Sequence, residues 1–211
     1  MTSIAPTTRL PAAERRQAIV DAALRVFSEG SYRGTTTAEI AREAGVSEPI
    51  LYRHFASKRD LYLTCLEEAW TRLRAAVEEK LEELGPSYGP LAIARTGLGL
   101  REKRMLPPTL WVEALSVASE DPELRRYLRR HIREVHDYLA GVLRASQEAG
   151  GVAPERDPDA EAWIFIAGAL LVLVGDRLGG VLTHDDFAAI ATQRFKWLFD
   201  RDPELPLLQT N

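Results

Sequence analysis

Apolar residues recur every three or four positions along nearly the whole of this 211-residue chain, and no stretch alternates convincingly with a period of two. That rhythm leaves one class of fold open: helices packed on helices, without a sheet. Breaks in the rhythm divide the chain into about nine helices. Ile19, Ala22, Ala23, Val26 and Phe27 mark the inner face of a first helix over 12–29, with Gly30 as its stop. Two short helices follow at 37–44 and 48–55, separated by Gly45-Val46-Ser47. Thr36 and Ser47 stand where N-caps belong, and Pro49 falls in a first turn, where a missing N–H does little harm. Ser57 then opens a long helix over 58–84, with Leu66, Trp70, Leu73, Val77, Leu81 and Leu84 on its inner stripe. At 1.5 Å per residue it spans about 40 Å, enough to join two domains.

Further helices are expected at 88–104, 108–119, 122–149, 158–178 and 184–200, divided by Pro107-Pro108, Asp121-Pro122, Gly150-Gly151, Asp157-Pro158 and Gly179-Gly180. Thr183 with Asp186 has the spacing of a capping box. The domain reading is a small head over 1–57, a larger helical body over 58–202, and a loose tail over 203–211.

Composition excludes several functions. The single cysteine, Cys65, forms no internal disulfide, which fits a reducing compartment. Residues 1–11 have no apolar core of the secretory kind. The longest apolar run, 163–175, is 13 residues, against about 20 for a membrane span. A cytoplasmic protein with no membrane association is expected. Net charge is −4, but it is unevenly spread: residues 1–60 carry +2 and the remainder −6. A basic end is compatible with nucleic acid, though weak as an argument alone. No catalytic constellation is present. His131 and His136 lack the spacing of a helical zinc site. Gly97 and Gly99 lie in a helical pattern and not after a strand, and no Gly-x-Ser-x-Gly occurs. No cofactor or metal is expected, and the chain does not read as an enzyme.

The informative segment is 32–58. Ile40, Val46, Leu51 and Phe55 are spaced to close a miniature core with the first helix, and Gly45 can take φ > 0 at the turn. The third helix is left presenting Ser47, Glu48, Ile50, Tyr52, Arg53 and His54, a polar and aromatic face that suits a major groove. Gly34-Thr35-Thr36-Thr37, Ile40-Ala41-x-x-Ala44-Gly45-Val46-Ser47 and Leu51-Tyr52-x-His54-Phe55-x-x-Lys58 resemble the N-terminal domain of the tetracycline-repressor (TetR) family. The resemblance covers about 12–66; beyond it the chain is similar only in helix count and punctuation.

The resemblance implies roles. Thr36, Thr37, Tyr52, His54 and Lys58 would hold the phosphate backbone, with Arg33 and Arg53 as further contacts and Arg9, Arg15 and Arg16 supporting from the N-terminal arm. Ser47, Glu48, Pro49 and Ile50 would lie nearest the base edges. Glu48 has two readings: an acceptor for cytosine N4, or an acid that favours its helix dipole. The family also implies a homodimer built on the last two helices, here through Trp163, Ala167, Leu171, Val174, Phe187, Ile190 and Phe195. It implies a small-molecule effector that releases a double-stranded DNA operator, and the aromatic and aliphatic residues of the helical body suggest an apolar or amphipathic one. Trp70, Met105, Trp111, His131, Tyr138 and Phe165 are the candidate pocket residues, each with a core role as the alternative. A helical enzyme with a vestigial helix-turn-helix and a helical partner-binding module are the rival readings.

Overall fold

The computed structural model describes residues 11–103 and 108–200, without the side chains of 98–103, 108, 109, 176, 177, 184 and 187. The expected tail at 203–211 lies outside the described residues. The elements are α1 (Ala12–Glu29), α2 (Thr37–Glu43), α3 (Glu48–His54), α4 (Lys58–Leu84), a 3-10 turn (Pro86–Tyr88), α5 (Gly89–Lys103), α6 (Pro108–Ala118), α7 (Pro122–Glu148), α8 (Pro158–Arg177) and α9 (His184–Phe199). No strand occurs among the described residues.

Caps fix the boundaries. The Thr36 hydroxyl accepts from the Glu39 N–H at 3.2 Å, and the Glu39 carboxylate accepts from the Thr36 N–H at 2.8 Å. Thr183 and Asp186 repeat this reciprocal box at the start of α9. Ser57 Oγ accepts from the Asp60 N–H, and Asp121 Oδ1 accepts from the N–H groups of Glu123 and Leu124. Ser47 departs from expectation. It occupies the N-cap position of α3, yet its hydroxyl makes no cap bond. Pro49 has no N–H to offer, and the Ile50 N–H is taken by the Ser47 carbonyl at 2.9 Å. Nothing is left for the side chain to cap.

The fold divides between Trp70 and Thr71 into two compact units. The sequence-based boundary at residue 57 falls earlier, because the first turns of α4 belong to the core of the first unit. Leu61, Tyr62, Cys65 and Leu66 are buried there with Ile19, Phe27, Ile40, Leu51 and Phe55. Tyr62 meets Phe27 edge to face at 5.0 Å, and the Cys65 thiol points at the Val20 carbonyl. Gly45 takes φ +67° at the turn between α2 and α3.

In the second unit α7 is the central element, packed against α5, α6 and α8. Val77, Ile93, Leu139, Ala140, Leu143 and Ala162 form one apolar cluster, and Leu91, Val152, Phe195, Leu198 and Phe199 a second. Phe165 packs against both. The apolar run seen in the sequence lies within α8, Pro158–Arg177, which ends one residue short of the expected 158–178. Its Pro158–Gly175 stretch meets the length and composition of a membrane span, although only 17% of it is buried. One side of α8 packs inward through Ala162, Phe165 and Ile166, and Glu161 is held by Arg194 of α9.

Two glycines separate space from conformation. A Cβ on Gly151 would run into the Ser87 backbone, whereas one on Gly141, within α7, would meet nothing within 4 Å. Gly151→Ala is expected to cost about 1–3 kcal/mol by overpacking, and Gly141→Ala to add about 0.5–1 kcal/mol by helix propensity. Urea denaturation of the two variants checks this; equal effects would contradict the packing described.

Candidate nucleic-acid interface

Helix α3 has seven residues and is anchored by Leu51, which is wholly buried. Its opposite face carries the sequence-nominated side chains. Ser47, Pro49, Tyr52 and Arg53 are exposed, and Glu48, Ile50 and His54 are half-buried. Arg33 and Thr36 are exposed ahead of α2, and Lys58 is half-buried at the start of α4. The structure therefore gathers these residues on one unit, with one exception in kind. Thr37 is buried, at 8% exposure. Its hydroxyl lies 2.5 Å from Glu48 Oε1 and 3.1 Å from the Tyr52 hydroxyl. Thr37 is thus engaged inside the protein, and Glu48, an acid in the first turn of α3 as its sequence position suggested, also accepts a hydrogen bond from it.

Two cations sit on rings. The Lys58 ammonium lies 4.7 Å from the Tyr32 ring centre, and the Arg16 guanidinium 4.9 Å from that of Phe55. Burial lowers the Lys58 pKa from the usual lysine value, opposed by the Glu39 charge. The hydrogen bonds from the Thr36 backbone and then its hydroxyl hold the Glu39 carboxyl below the usual range. Tyr32 is the residue that sequence reasoning missed as a participant. Its signal was an aromatic immediately before the Arg33-Gly34-Thr35 lead-in.

The nominated effector residues are found in different surroundings. Trp70 belongs to the first unit, and Met105 lies outside the described residues. Trp111 and Tyr127 stack on the two sides of His131, at 4.7 and 5.7 Å between ring centres. Tyr138 instead lines a groove of about 510 Å³ with Leu81, Glu82, Pro86, Asp137, Gly141, Val142 and Ala145. Its pKa is pushed up to about 12 by burial and by the Glu78 charge, against Arg74. Phe165 is half-buried and packs against both core clusters.

The nominated dimer residues separate into two groups. The nominated Ala167, Leu171 and Val174 are exposed on α8, and with Ile164 and Leu178, which the sequence did not single out, they stand at alternating intervals of three and four. Ile190 and Trp197 are exposed on α9. Trp163 is exposed too, but it stacks on His136 at 4.4 Å. Phe195 corrects the expectation: it is 3% exposed and belongs to the core cluster with Leu91. The side chain of Phe187 lies outside the described residues.

A pair of short helices joined at Gly45 and buttressed by α1, followed by a helical body, defines a helix-turn-helix protein. Residues 19–65 match the family described as bacterial regulatory proteins, tetR family, and residues 92–169 match the BetI-type transcriptional repressor C-terminal family. The chain belongs to the TetR family. It is 34% identical over 134 residues to the HTH-type transcriptional regulator BetI of Rhizobium meliloti, covering 62% of this chain and 65% of that protein. It is 44% identical over 73 residues to the HTH-type transcriptional activator FasR of Mycolicibacterium smegmatis, covering 35% of this chain and 33% of that one. The matched part is thus less than two thirds of either relative's length. A Rhodococcus sp. structure described as a TetR-family transcriptional regulator superimposes with a TM-score of 0.76 at 22% identity, covering 88% of this chain and 99% of that one.

His131 gives this unit an acid dependence. Burial lowers its pKa first, with the Arg130 charge acting the same way and Glu134 opposing. A histidine depressed in the folded state binds its proton more readily unfolded. Stability is therefore complete above the unfolded value and falls with pH below about 6.5 until the lower folded pKa is reached. Thermal melts between about pH 7.5 and pH 5 are expected to show this loss in the native chain and to show less of it in His131→Phe. An identical pH profile in both would remove His131 as its source.

Proposed function

We propose that the protein is a cytoplasmic transcriptional repressor that binds a palindromic double-stranded DNA operator as a homodimer and is released by a small apolar or amphipathic effector. The observation that carries this reading is the exposed face of α3, where Ser47, Pro49, Tyr52 and Arg53 stand clear of a core anchored by Leu51. A seven-residue helix presenting hydroxyl, aromatic and cationic groups from its N-terminal end fits a major groove. Lys58, Arg33, Thr36 and His54 are the proposed phosphate contacts; Ser47, Glu48, Pro49 and Ile50 lie at the base edges. The match of residues 92–169 to a repressor-type C-terminal family supports repression over activation.

The homodimer rests on the α8 seam. Spacing by three and four is what two helices need to interlock side chains along their length. The exposed members, Leu171 at 48% and Val174 at 46%, form an apolar surface that a second copy of the same seam would cover. In a symmetric pair, two α3 helices would meet successive major grooves roughly 34–36 Å apart. Effector release requires a molecule that favours the form not bound to DNA. Trp111, His131 and Tyr138 are the described candidates for contacting it.

Fluorescence anisotropy on DNA from the protein's own upstream region, against scrambled DNA at two salt concentrations, tests the reading. Lys58→Ala is expected to weaken binding to all duplexes and reduce the salt slope by about one charge, with the circular dichroism spectrum unchanged. An unaltered slope would remove Lys58 from the phosphate contacts. Leu171→Glu is expected to give monomers in sedimentation velocity and to weaken operator binding; a dimer that persists would move the interface off the seam.

A further inference from the structure

We propose that Glu48 is a specificity-determining residue that keeps the Thr37 and Tyr52 hydroxyls turned away from DNA phosphates until a cytosine amino group draws its carboxylate off. The inference rests on the DNA-binding reading above. Its basis is the three-residue chain at the corner between α2 and α3: Glu48 Oε1, Thr37 Oγ1 at 2.5 Å, and the Tyr52 hydroxyl 3.1 Å beyond.

The proton inventory decides the direction of these bonds. An ionised carboxylate only accepts, so the one hydroxyl proton of Thr37 goes to Glu48. Thr37 Oγ1 has then only lone pairs to offer, and Tyr52 donates to it. Both hydroxyl protons at this corner point into the protein. A phosphate oxygen needs a donor, and neither group has one free. The bond to a charged acceptor is short and of the stronger kind, so the arrangement does not yield without a competing partner for the carboxylate. Glu48 is half-buried, while Tyr52 is 48% exposed, so the carboxylate governs a hydroxyl at the edge of the reading face.

Cytosine N4 in the major groove is a donor that suits a glutamate. When Glu48 accepts from it, Thr37 regains its proton for other use and Tyr52 can donate outward. One base contact then releases hydroxyl contacts to the backbone. On a sequence without that amino group, Glu48 stays with Thr37, the hydroxyl contacts are withheld, and the carboxylate opposes the nearby phosphates. Phosphate contacts ordinarily carry no sequence information; here they become conditional on a base.

Anisotropy titrations with a random-sequence duplex pool, and with the duplex selected from that pool by the native protein, test the proposal. Glu48→Ala is expected to bind the random pool about three- to tenfold more tightly, the worth of one or two released hydrogen bonds, and to lose discrimination for the selected duplex. Glu48→Gln, which keeps the volume but weakens the hold on Thr37, moves the same way by less. The gain disappears in the double variant Glu48→Ala/Tyr52→Phe, because it depends on the freed hydroxyl. Glu43→Ala removes an equal charge from the same unit and gives a smaller gain. Random-pool binding unchanged in both Glu48 variants, a gain that survives Tyr52→Phe, or an equal gain from Glu43→Ala would each overturn the proposal while leaving the DNA reading intact. A native protein that binds neither random nor selected duplexes would overturn that reading, and this inference with it.

Discussion

A helix of seven residues has no stability of its own in water. Everything that α3 presents therefore depends on two side chains, Leu51 and Phe55, sealed into the core of the first unit. They fix the rotation of the helix, and the rotation decides which residues face outward. The rest of the unit serves that fixation. Ile19 and Phe27 of α1 supply one wall, and Leu61 and Tyr62 of α4 another. Gly45 at φ +67° makes the reversal that brings α3 against α2.

The second core shows where apolar surface is left uncovered. Around α7 the burial is thorough, down to His131 between the rings of Trp111 and Tyr127. On α8 it stops halfway round the helix. Ala162, Phe165 and Ile166 turn inward, while Ile164, Leu171 and Val174 remain in solvent. A helix apolar on both sides but packed on one has a free-energy reason to meet a second apolar surface. The capping box at Thr183 and the hold of Arg194 on Glu161 secure the ends and the crossing without using the exposed stripe.

Helix number, order and most boundaries were legible because Pro, Gly and cap residues act locally. Thr36, Ser57 and Thr183 cap through neighbours three residues away, well within what spacing encodes. Ser47 misled because a cap residue was present while the donors it needed were not: one is missing in Pro49 and the other is taken by a backbone carbonyl. The resemblance implied that Phe195 shares the dimer interface with Ile190, yet it is buried while Ile190 is open. A stripe shows that a face is apolar, and says nothing of whether the same chain or another covers it. The domain boundary moved from residue 57 to Trp70 for a related reason: a continuous helix carries no mark of where its contacts change sides. The Thr37–Glu48–Tyr52 chain was not legible at all, since it joins residues of two helices through side-chain geometry alone.

The charge distribution also bears on how such a head would select its DNA. With a net charge of −4 on the chain and only +2 over its first sixty residues, there is little Coulombic attraction to spend on arbitrary sequences. Two cations of the first unit, Lys58 and Arg16, are stacked on Tyr32 and Phe55. Stacking limits their reach but lowers the entropy lost in fixing them. In the proposed complex, affinity would then fall more heavily on neutral donors such as the hydroxyls of Ser47 and Tyr52. Neutral donors act over a bond length and in one direction, whereas charges act over a Debye length of about 8–10 Å at ordinary salt. A head built this way gains little from being merely near DNA and much from being correctly seated. On the proposed reading, an acidic residue at the start of α3 would sharpen that contrast, so that a mildly charged face would be selective without being strongly attractive.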